Sequence, residues 1–192
     1  MDTCRTFIAI ELPRDVRRGI KEHIDQLRAV FPDVRASWTR EDNLHLTLKF
    51  LGNVPVARIP ALSNAVAEAA HEIDPFDLGI SSCGTFPPHG RPKVLWIGCP
   101  TMEAQASRLH LLHGALEDRC AAAGFEREPR AYHPHLTIAR LRESKDSRTL
   151  AEHHRRLDFA SQSFTVSGLV VFRSELSSKG SKHTALSRHE LG

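Results

Sequence analysis

The sequence predicts an α+β fold in which two similar lobes form a single domain. Three observations support this prediction: strand-like and helix-like patterns alternate along the chain, the tetrapeptide His-x-Thr-x occurs once in each half, and no low-complexity linker separates the halves. A chain of 192 residues can bury a sizeable core. We therefore predict one domain over residues 1–192, with lobes at roughly 1–95 and 96–192.

Five elements are predicted in the first half, in the order strand, helix, strand, helix, strand. The first helix begins at Pro13, which suits a first helical turn, and its apolar residues recur at helical spacing until Phe31. Short apolar runs bounded by turn residues predict the strands. The predicted elements are a strand over 6–12, a helix over 13–31, a strand over the run NLHLTLKFLG (43–52), a helix over 58–73 and a strand over 76–86.

The second half repeats that order and adds one strand. Its first three elements are predicted as a strand over 93–99, a helix over 102–123 and a strand over 135–141. The charged segment RESKDSRTLAEHHRRLDF is expected to form a surface helix behind a flexible loop. SFTVSGLVVFRS is predicted as one strong strand, and SSKGSKHTALSRHEL as a loop followed by a short final strand.

The two copies of the tetrapeptide are HLTL at 45–48 and HLTI at 135–138. Side chains two positions apart on a strand point to the same face. His45 and Thr47 therefore share one face, and His135 and Thr137 share the corresponding face of the second strand. The intervening aliphatic side chains are expected to pack against the helices. If the lobes pack about a pseudo-twofold axis, both histidine–threonine pairs line one cleft.

Two histidines and two hydroxyl donors that face one another suit acid–base cleavage of a phosphodiester. One imidazole must be neutral to take a proton from the attacking oxygen, and the other must be protonated to donate one to the leaving oxygen. An ordinary histidine pKa near 6.5 lets both states exist near neutral pH. A positioned acid or base accelerates a reaction roughly 10²–10⁴-fold, and threonine hydroxyls can bind the non-bridging oxygens. A single histidine on a strand is more often structural, so the prediction depends on the repetition of the motif.

Composition narrows the classes of partner and cofactor. The formal net charge of +3 permits an anionic partner without requiring one. The four cysteines form no C-x-x-C pair, and solvated helix faces explain the histidine pairs at 110/113 and 153/154, so we predict neither a metal ion nor a cofactor. No apolar run has the length of a signal peptide or a membrane span, and no coiled coil is visible. We therefore expect a cytoplasmic monomer that does not bind membranes.

With these motifs in this order, the sequence resembles the two-histidine phosphoesterase superfamily, and within it the RNA 2′,3′-cyclic phosphodiesterases once called 2′-5′ RNA ligases. The resemblance covers nearly the whole chain and is carried by RTFIAIELP, WTREDNLHLTLKFLG, GTFPPHGRPKVLWIG, HPHLTIAR and VVFRSEL. It implies two antiparallel-rich sheets with outer helices and a central cleft. It also implies metal-independent hydrolysis of a 2′,3′-cyclic phosphate at an RNA end, tRNA fragments included, to a 2′-phosphomonoester.

Residue by residue, the resemblance implies that His45 is the proton donor to the leaving 3′ oxygen and that His135 is the base that activates water. Thr47, Thr137 and Arg140 match positions that bind phosphate. Arg140 poses a geometrical problem, because it lies five residues after His135 and strict alternation would point it to the opposite face. A β-bulge, or the end of the strand near Ala139, would return the side chain to the cleft. Otherwise Arg140 is a solvated arginine like its neighbours Arg142 and Arg148.

Several other side chains carry weaker signals. Lys49 has the same parity as His45 but is predicted to be a surface lysine, and Trp96 is predicted to lie in the core. His183 stands where relatives often carry an aromatic residue, so contact with a nucleobase stays open. Three aromatic residues are candidates for stacking on a base: Phe7, Trp38 and Tyr132.

Two alternative functions stay open on the sequence alone. One is a protein that binds RNA ends through the same cleft without turnover, and the other is an enzyme that joins RNA ends through 2′-5′ linkages. Two titratable groups favour an enzyme over a pure binder, because binding does not need them. Ligation can use the same residues in reverse, so the sequence does not separate it from hydrolysis.

Overall fold

The helices and strands follow one another much as the alternating patterns predict. The computed structural model describes residues 2–99, 104–142, 146–157, 159–177 and 180–192. The helices are α1 (Arg14–Val30), α2 (Ile59–His71), α3 (Ala104–Ala122) and α4 (Ser147–Arg156). The strands are β1 (Thr3–Glu11), β2 (Ala36–Trp38), β3 (His45–Pro55), β4 (Phe76–Ile80), β5 (Ser82–Phe86), β6 (Val94–Gly98), β7 (His135–Leu141), β8 (Gln162–Val166), β9 (Gly168–Ser177) and β10 (Gly180–Glu190).

The strands form two four-stranded sheets and one two-stranded ribbon. The first sheet has the order β10-β9-β1-β3, the second has the order β2-β7-β6-β5, and β4 pairs with β8. Every pairing between the described strands is antiparallel, which confirms the predicted α+β class with antiparallel-rich sheets. Each sheet takes strands from both sides of residue 95, because β9 pairs with β1 and β7 pairs with β2. The boundary predicted there therefore does not follow the sheets.

One hydrophobic core lies behind both four-stranded sheets. Ile8 and Leu46 of the first sheet belong to the same buried cluster as Leu95 and Leu136 of the second. The apolar stripe of α1 packs into this core, as its spacing predicts, and includes the fully buried Ile20. Fully burying one such aliphatic side chain contributes about 1.5–3 kcal/mol. The shared core fixes the position of each sheet relative to the other.

The first sheet also carries apolar side chains on the face turned away from this core. Phe7 and Ala9 of β1 pack there against Val170 and Phe172 of β9, with Ala185 of β10 beside them. These residues alternate with core residues such as Ile8 along the strand, as the pleat requires. A side chain that lies on this second face therefore packs against a buried apolar surface, which we call the apolar floor.

Four predictions of secondary structure are corrected. The single strand predicted over 76–86 is two strands, β4 and β5, in different sheets, and the strand predicted over 163–174 is likewise divided into β8 and β9. The short final strand predicted after a loop is β10, which spans eleven residues and pairs with β9. The segment between the predicted helix over 13–31 and the predicted strand over 43–52, for which no element is predicted, contains the strand β2.

The last helix differs from its prediction in burial. It was predicted to lie on the surface, but Leu150, Ala151 and His154 of α4 are buried. The loop predicted before it, at 143–145, and the predicted first residues of the preceding helix, at 102–103, lie outside the described residues. No helix in the described ranges has the length and apolar character needed to cross a bilayer.

Candidate functional site

The two His-x-Thr-x runs form the beginnings of β3 and β7, as predicted. Leu46 and Leu136 are fully buried in the shared core, whereas the histidine and threonine of each run are half-buried on the other face. β3 and β7 contact each other. The two strands that carry the histidine–threonine pairs are therefore neighbours, with one core behind them.

Two contacts fix the ring of His45. Its Nδ1 lies 2.7 Å from the backbone carbonyl oxygen of Asn43, and its ring stacks on Phe7 with centroids 4.7 Å apart. The side chain of Asn43 in turn donates a hydrogen bond of 2.8 Å to the carbonyl of Ser181 on β10. The imidazole is therefore held by the apolar floor below it and by a carbonyl at its edge.

His135 is held in the corresponding way in the second sheet. Its Nδ1 lies 2.7 Å from the carbonyl oxygen of His133, again two residues earlier in the chain. The ring packs edge-on against Phe86, with centroids 4.9 Å apart, and Trp96 lies 6.5 Å away. Trp96 was predicted to lie in the core, but its ring is on the face of His135 and contacts the ring of His133 as well.

The carbonyl partners decide which ring nitrogen is available for chemistry. A carbonyl oxygen only accepts hydrogen bonds, so Nδ1 carries a proton in both His45 and His135. A neutral ring then presents the lone pair of Nε2, and a protonated ring presents an Nε2–H donor. Each strand therefore supplies one nitrogen that can either take or give a proton.

A β-bulge follows the motif threonine in each strand. The register of β3 with β1 skips Leu48, and the register of β7 with β6 skips Ile138. The extra residue in the bulge places two residues that are five positions apart on the same face of the strand. Arg140 is therefore exposed on the same side as His135, which confirms the predicted bulge. The residue of β3 at the position corresponding to Arg140 is Phe50, which is 53% exposed.

Burial lowers the pKa of both motif histidines. For His45 the desolvation, with the charge of neighbouring His183 as the next cause, lowers the pKa to about 4. Burial likewise lowers the pKa of His135, while its hydrogen bond to the carbonyl of His133 opposes that effect. The charge of Arg140 is a further cause that lowers the pKa of His135. Both rings are consequently neutral at pH 7 in the free protein.

Two hydroxyl groups that the motif does not include hold the backbone of the motif threonines. Tyr132 donates a hydrogen bond of 3.3 Å to the carbonyl oxygen of Thr47, and Thr39 donates one of 2.8 Å to that of Thr137. The first bond joins the segment before β7 to β3, and the second joins the segment after β2 to β7. Neither residue could be assigned this role from the sequence, because its partner lies 85 or 98 positions away.

His183 of β10 is a third histidine at this site. Its ring packs edge-on against His45 with centroids 5.3 Å apart and against Phe7 at 5.0 Å. Its Nδ1 is buried without a hydrogen-bond partner among the described residues. Because a proton on His183 would repel a proton on His45, the two rings are coupled in their titration.

Replacement of His183 by Phe is expected to raise the pKa of His45. Phe keeps a ring against Phe7 but removes the neighbouring charge, so the effect of burial on His45 persists while the repulsion disappears. An NMR titration of the His45 ring would measure it. His71→Phe on the exposed end of α2 is the matched control, and an unchanged pKa of His45 in His183→Phe would contradict the coupling.

Lys49 is not the surface lysine that the sequence predicts. The residue is only 3% exposed, and its ammonium group lies 2.8 Å from both carboxylate oxygens of Glu117 on α3. It also donates a hydrogen bond of 2.8 Å to the carbonyl oxygen of Glu126. The β-bulge turns Lys49 inward, and the ion pair fastens β3 to α3 directly after the motif.

The aromatic candidates for base stacking are placed differently from the prediction. Phe7 is buried beneath His45, and the ring of Tyr132 is stacked against His113 at 4.0 Å. Trp38 packs against the core. The exposed aromatic side chain of β3 is Phe50, whose ring lies 5.6 Å from that of Phe7. The prediction that His154 lies on a solvated helix face is also wrong, because this residue is fully buried.

Comparison with known proteins places the chain among relatives of similar architecture. It matches the family model of the 2′-5′ RNA ligase superfamily over residues 16–177. It is 30% identical over 181 residues to the RNA 2′,3′-cyclic phosphodiesterase of Methanothermobacter thermautotrophicus, which covers 94% of this chain and 95% of that protein. It is 29% identical over 170 residues to the protein of the same name from Geobacillus stearothermophilus. That alignment covers 88% of this chain but 52% of the relative, so this chain spans about half the length of the Geobacillus protein. The crystal structure of E. coli LigT complexed with 3′-AMP matches with a TM-score of 0.76 and 28% identity over 99% of both chains.

Proposed function

Because the chain belongs to the 2′-5′ RNA ligase superfamily, we propose that it hydrolyses the 2′,3′-cyclic phosphate at an RNA end to a 2′-phosphomonoester. Membership confirms the family resemblance drawn from the sequence motifs. The names of the curated relatives support the substrate class, and the complex of E. coli LigT with 3′-AMP supports binding of a nucleotide. The proposed reaction needs no metal ion and no cofactor.

The matching anchors of the two histidines carry this proposal. Each Nδ1 is fixed by the carbonyl two residues earlier, at 2.7 Å in both sheets, and each Nε2 is left for a substrate. A histidine kept only for packing would not need the same tautomer twice on two strands in contact. This arrangement supports a pair of proton-transfer groups acting on one phosphorus.

In the proposed mechanism, His135 acts as the base. Its neutral Nε2 takes a proton from water, and the water oxygen attacks the phosphorus opposite the 3′ oxygen. As the bond between phosphorus and the 3′ oxygen breaks, the Nε2–H of His45 donates its proton to that oxygen, and the phosphate stays on the 2′ oxygen. The hydroxyls of Thr47 and Thr137 and the guanidinium of Arg140 stabilise the charge on the non-bridging oxygens.

The lowered pKa of His45 is consistent with a proton donor that becomes protonated when the anionic substrate binds. With a pKa of about 4 the ring is neutral in the free protein at neutral pH. The anionic phosphate beside it favours the protonated form and raises that pKa. The lowered pKa of His135 suits its role directly, since a base must be neutral.

Product analysis tests the proposal most directly. An oligonucleotide that ends in a 2′,3′-cyclic phosphate is incubated with the protein, and phosphorus NMR shows whether the ring opens and which oxygen keeps the phosphate. We expect a 2′-phosphomonoester, at a rate that EDTA leaves unchanged. A 3′-phosphomonoester would contradict the assignment of His45 as donor to the 3′ oxygen.

The same experiment separates the two alternative functions. A protein that only binds RNA ends would return the cyclic phosphate intact at any protein concentration. A ligase would join an added RNA with a free 5′ hydroxyl, and the joined product would contain a 2′-5′ linkage. Either outcome as the main result would replace hydrolysis as the function of the site.

A further inference from the structure

Three side chains with metal-binding atoms converge on the face of the second sheet that is turned away from His135. They come from α1, β5 and α4, and their ligand atoms all lie within 4.8 Å of one another: His23, Cys83 and His154. Nε2 of His23 lies 3.1 Å from Nδ1 of His154 and 3.9 Å from Sγ of Cys83. Because Cys83 and His154 lie 60 and 131 positions from His23 in the chain, no sequence motif reveals the cluster.

The position of the cluster separates it from the cleft. The residue after Cys83 is Gly84, where an added Cβ would lie 2.1 Å from the ring of Trp96. Trp96 in turn contacts His133 and His135. Successive residues of a strand point to opposite faces, so Cys83 points away from the catalytic face and towards the two helices.

The distances within the cluster fit a small tetrahedral ion. Zinc binds imidazole nitrogen at about 2.0–2.1 Å and thiolate sulfur at about 2.3 Å, so two tetrahedral ligands lie about 3.3–3.6 Å apart. The observed separations of 3.1 Å and 3.9 Å lie on either side of that range, and the third separation, between Sγ of Cys83 and Nδ1 of His154, is within 4.8 Å. Movement of these side chains towards one centre would bring all three ligand atoms to bonding distance.

The surroundings prepare the imidazole of His154 for a metal. Nε2 of His154 lies 3.0 Å from the carbonyl oxygen of Trp96, so this nitrogen carries the proton and Nδ1 keeps its lone pair within the cluster. Such an outer hydrogen bond to a carbonyl is typical of metal-bound histidines.

We propose that His23, Cys83 and His154 form a zinc site that fastens α1 and α4 to β5, independently of the proposed reaction. Two imidazoles and a thiolate are a donor set that Zn²⁺ prefers, and a water molecule completes the tetrahedron. The proton of Cys83 is released when its thiolate binds, and the proton on Nε2 of His23 moves to Nδ1. The ion serves the fold, since none of its ligands lies on the face of His135.

Zinc binding is expected to raise the melting temperature of the untagged, metal-free full chain. With free zinc at a hundred times its dissociation constant, the expected rise is roughly 5–10 °C. Elemental analysis should show one zinc per chain, and cobalt substitution should give a tetrahedral spectrum with a thiolate-to-cobalt charge-transfer band. The rate of cyclic-phosphate hydrolysis at temperatures where both forms are folded should not change between the metal-free and zinc-bound protein.

Cys83→Ala is the decisive variant, because it removes one ligand and keeps the hydrogen-bonded imidazole pair. The zinc-dependent rise in melting temperature should be lost in Cys83→Ala and retained in Cys4→Ala, the matched control. A rise that persists in Cys83→Ala would show that zinc binds elsewhere and would overturn the site. If Cys83→Ala does not fold, absence of the charge-transfer band in the cobalt-loaded parent protein overturns it instead.

Discussion

Replacing either His45 or His135 with Asn is expected to lower kcat roughly 10²–10⁴-fold. Asn is close to imidazole in size and keeps a polar group near the carbonyl that anchors Nδ1, but it cannot exchange a proton at Nε2. The measurement is steady-state hydrolysis of an oligonucleotide with a 2′,3′-cyclic phosphate. His71→Asn, which changes an exposed histidine of α2, is the matched control and should retain the parental rate.

The pH dependence of the two variants distinguishes the roles of the histidines. A base must be neutral, so His135 makes the parental rate fall as the pH drops below the pKa of that ring. An acid must be protonated, so His45 makes the rate fall as the pH rises above its pKa in the complex. His135→Asn should therefore lose the acidic limb of the residual profile, and His45→Asn should lose the alkaline limb.

The double variant gives the sharpest test of the pair. If both rings act in one proton-transfer sequence, the combined loss should be smaller than the product of the two single losses. A double variant that retains most of the parental turnover would contradict the acid–base roles of both histidines. Circular dichroism of each variant establishes that the fold is retained.

Replacing Lys49 with Met is expected to destabilise the fold by about 3–5 kcal/mol. The change leaves the carboxylate of Glu117 buried without the cation that lies 2.8 Å from both of its oxygens. For a chain of this size the loss corresponds to a fall in melting temperature of roughly 6–20 °C. Thermal unfolding followed by circular dichroism would measure it.

Two further variants isolate the buried charge as the cause. Lys49→Met combined with Glu117→Leu removes both charges and should recover much of the lost stability. Arg173→Met breaks the exposed pair with Glu175, at 2.9 Å, and should cost about 1 kcal/mol or less. Equal stability of the Lys49→Met variant and the parent protein would contradict the importance of the buried pair.

Features that depend on local sequence could be predicted. The repeated motif placed β3 and β7, because the alternation of polar and aliphatic side chains is contained within each run. The odd spacing between His135 and Arg140 pointed to a bulge or to a strand end near Ala139, and the structure has the bulge. The stripe of α1 predicted its buried face, since helical spacing is visible in one segment.

Features that depend on partners far away in the chain could not be predicted from the sequence. The change of sheet at Ser81 has no glycine or proline directly beside it, and Gly168 after Ser167 stands within a strongly apolar run, so two pairs of strands were each predicted as one. The first part of β10 was predicted as a loop because most of its side chains are polar or small, although His183 and Ala185 pack inward. Lys49 is buried because it pairs with Glu117. That partner lies 68 positions away in the chain, so the residues next to Lys49 in the sequence do not reveal the pair.

The place of β1 in the first sheet has a consequence for synthesis on the ribosome. β1 emerges early and pairs on one side with β3, but its other side pairs with β9, where Phe7 faces Phe172. Until β9 leaves the ribosomal exit tunnel, the amide and carbonyl groups on that edge of β1 are unpaired. They can then form hydrogen bonds with another polypeptide. The first sheet therefore cannot be completed during synthesis until β9 is available, and until then β1 is exposed to non-native pairing.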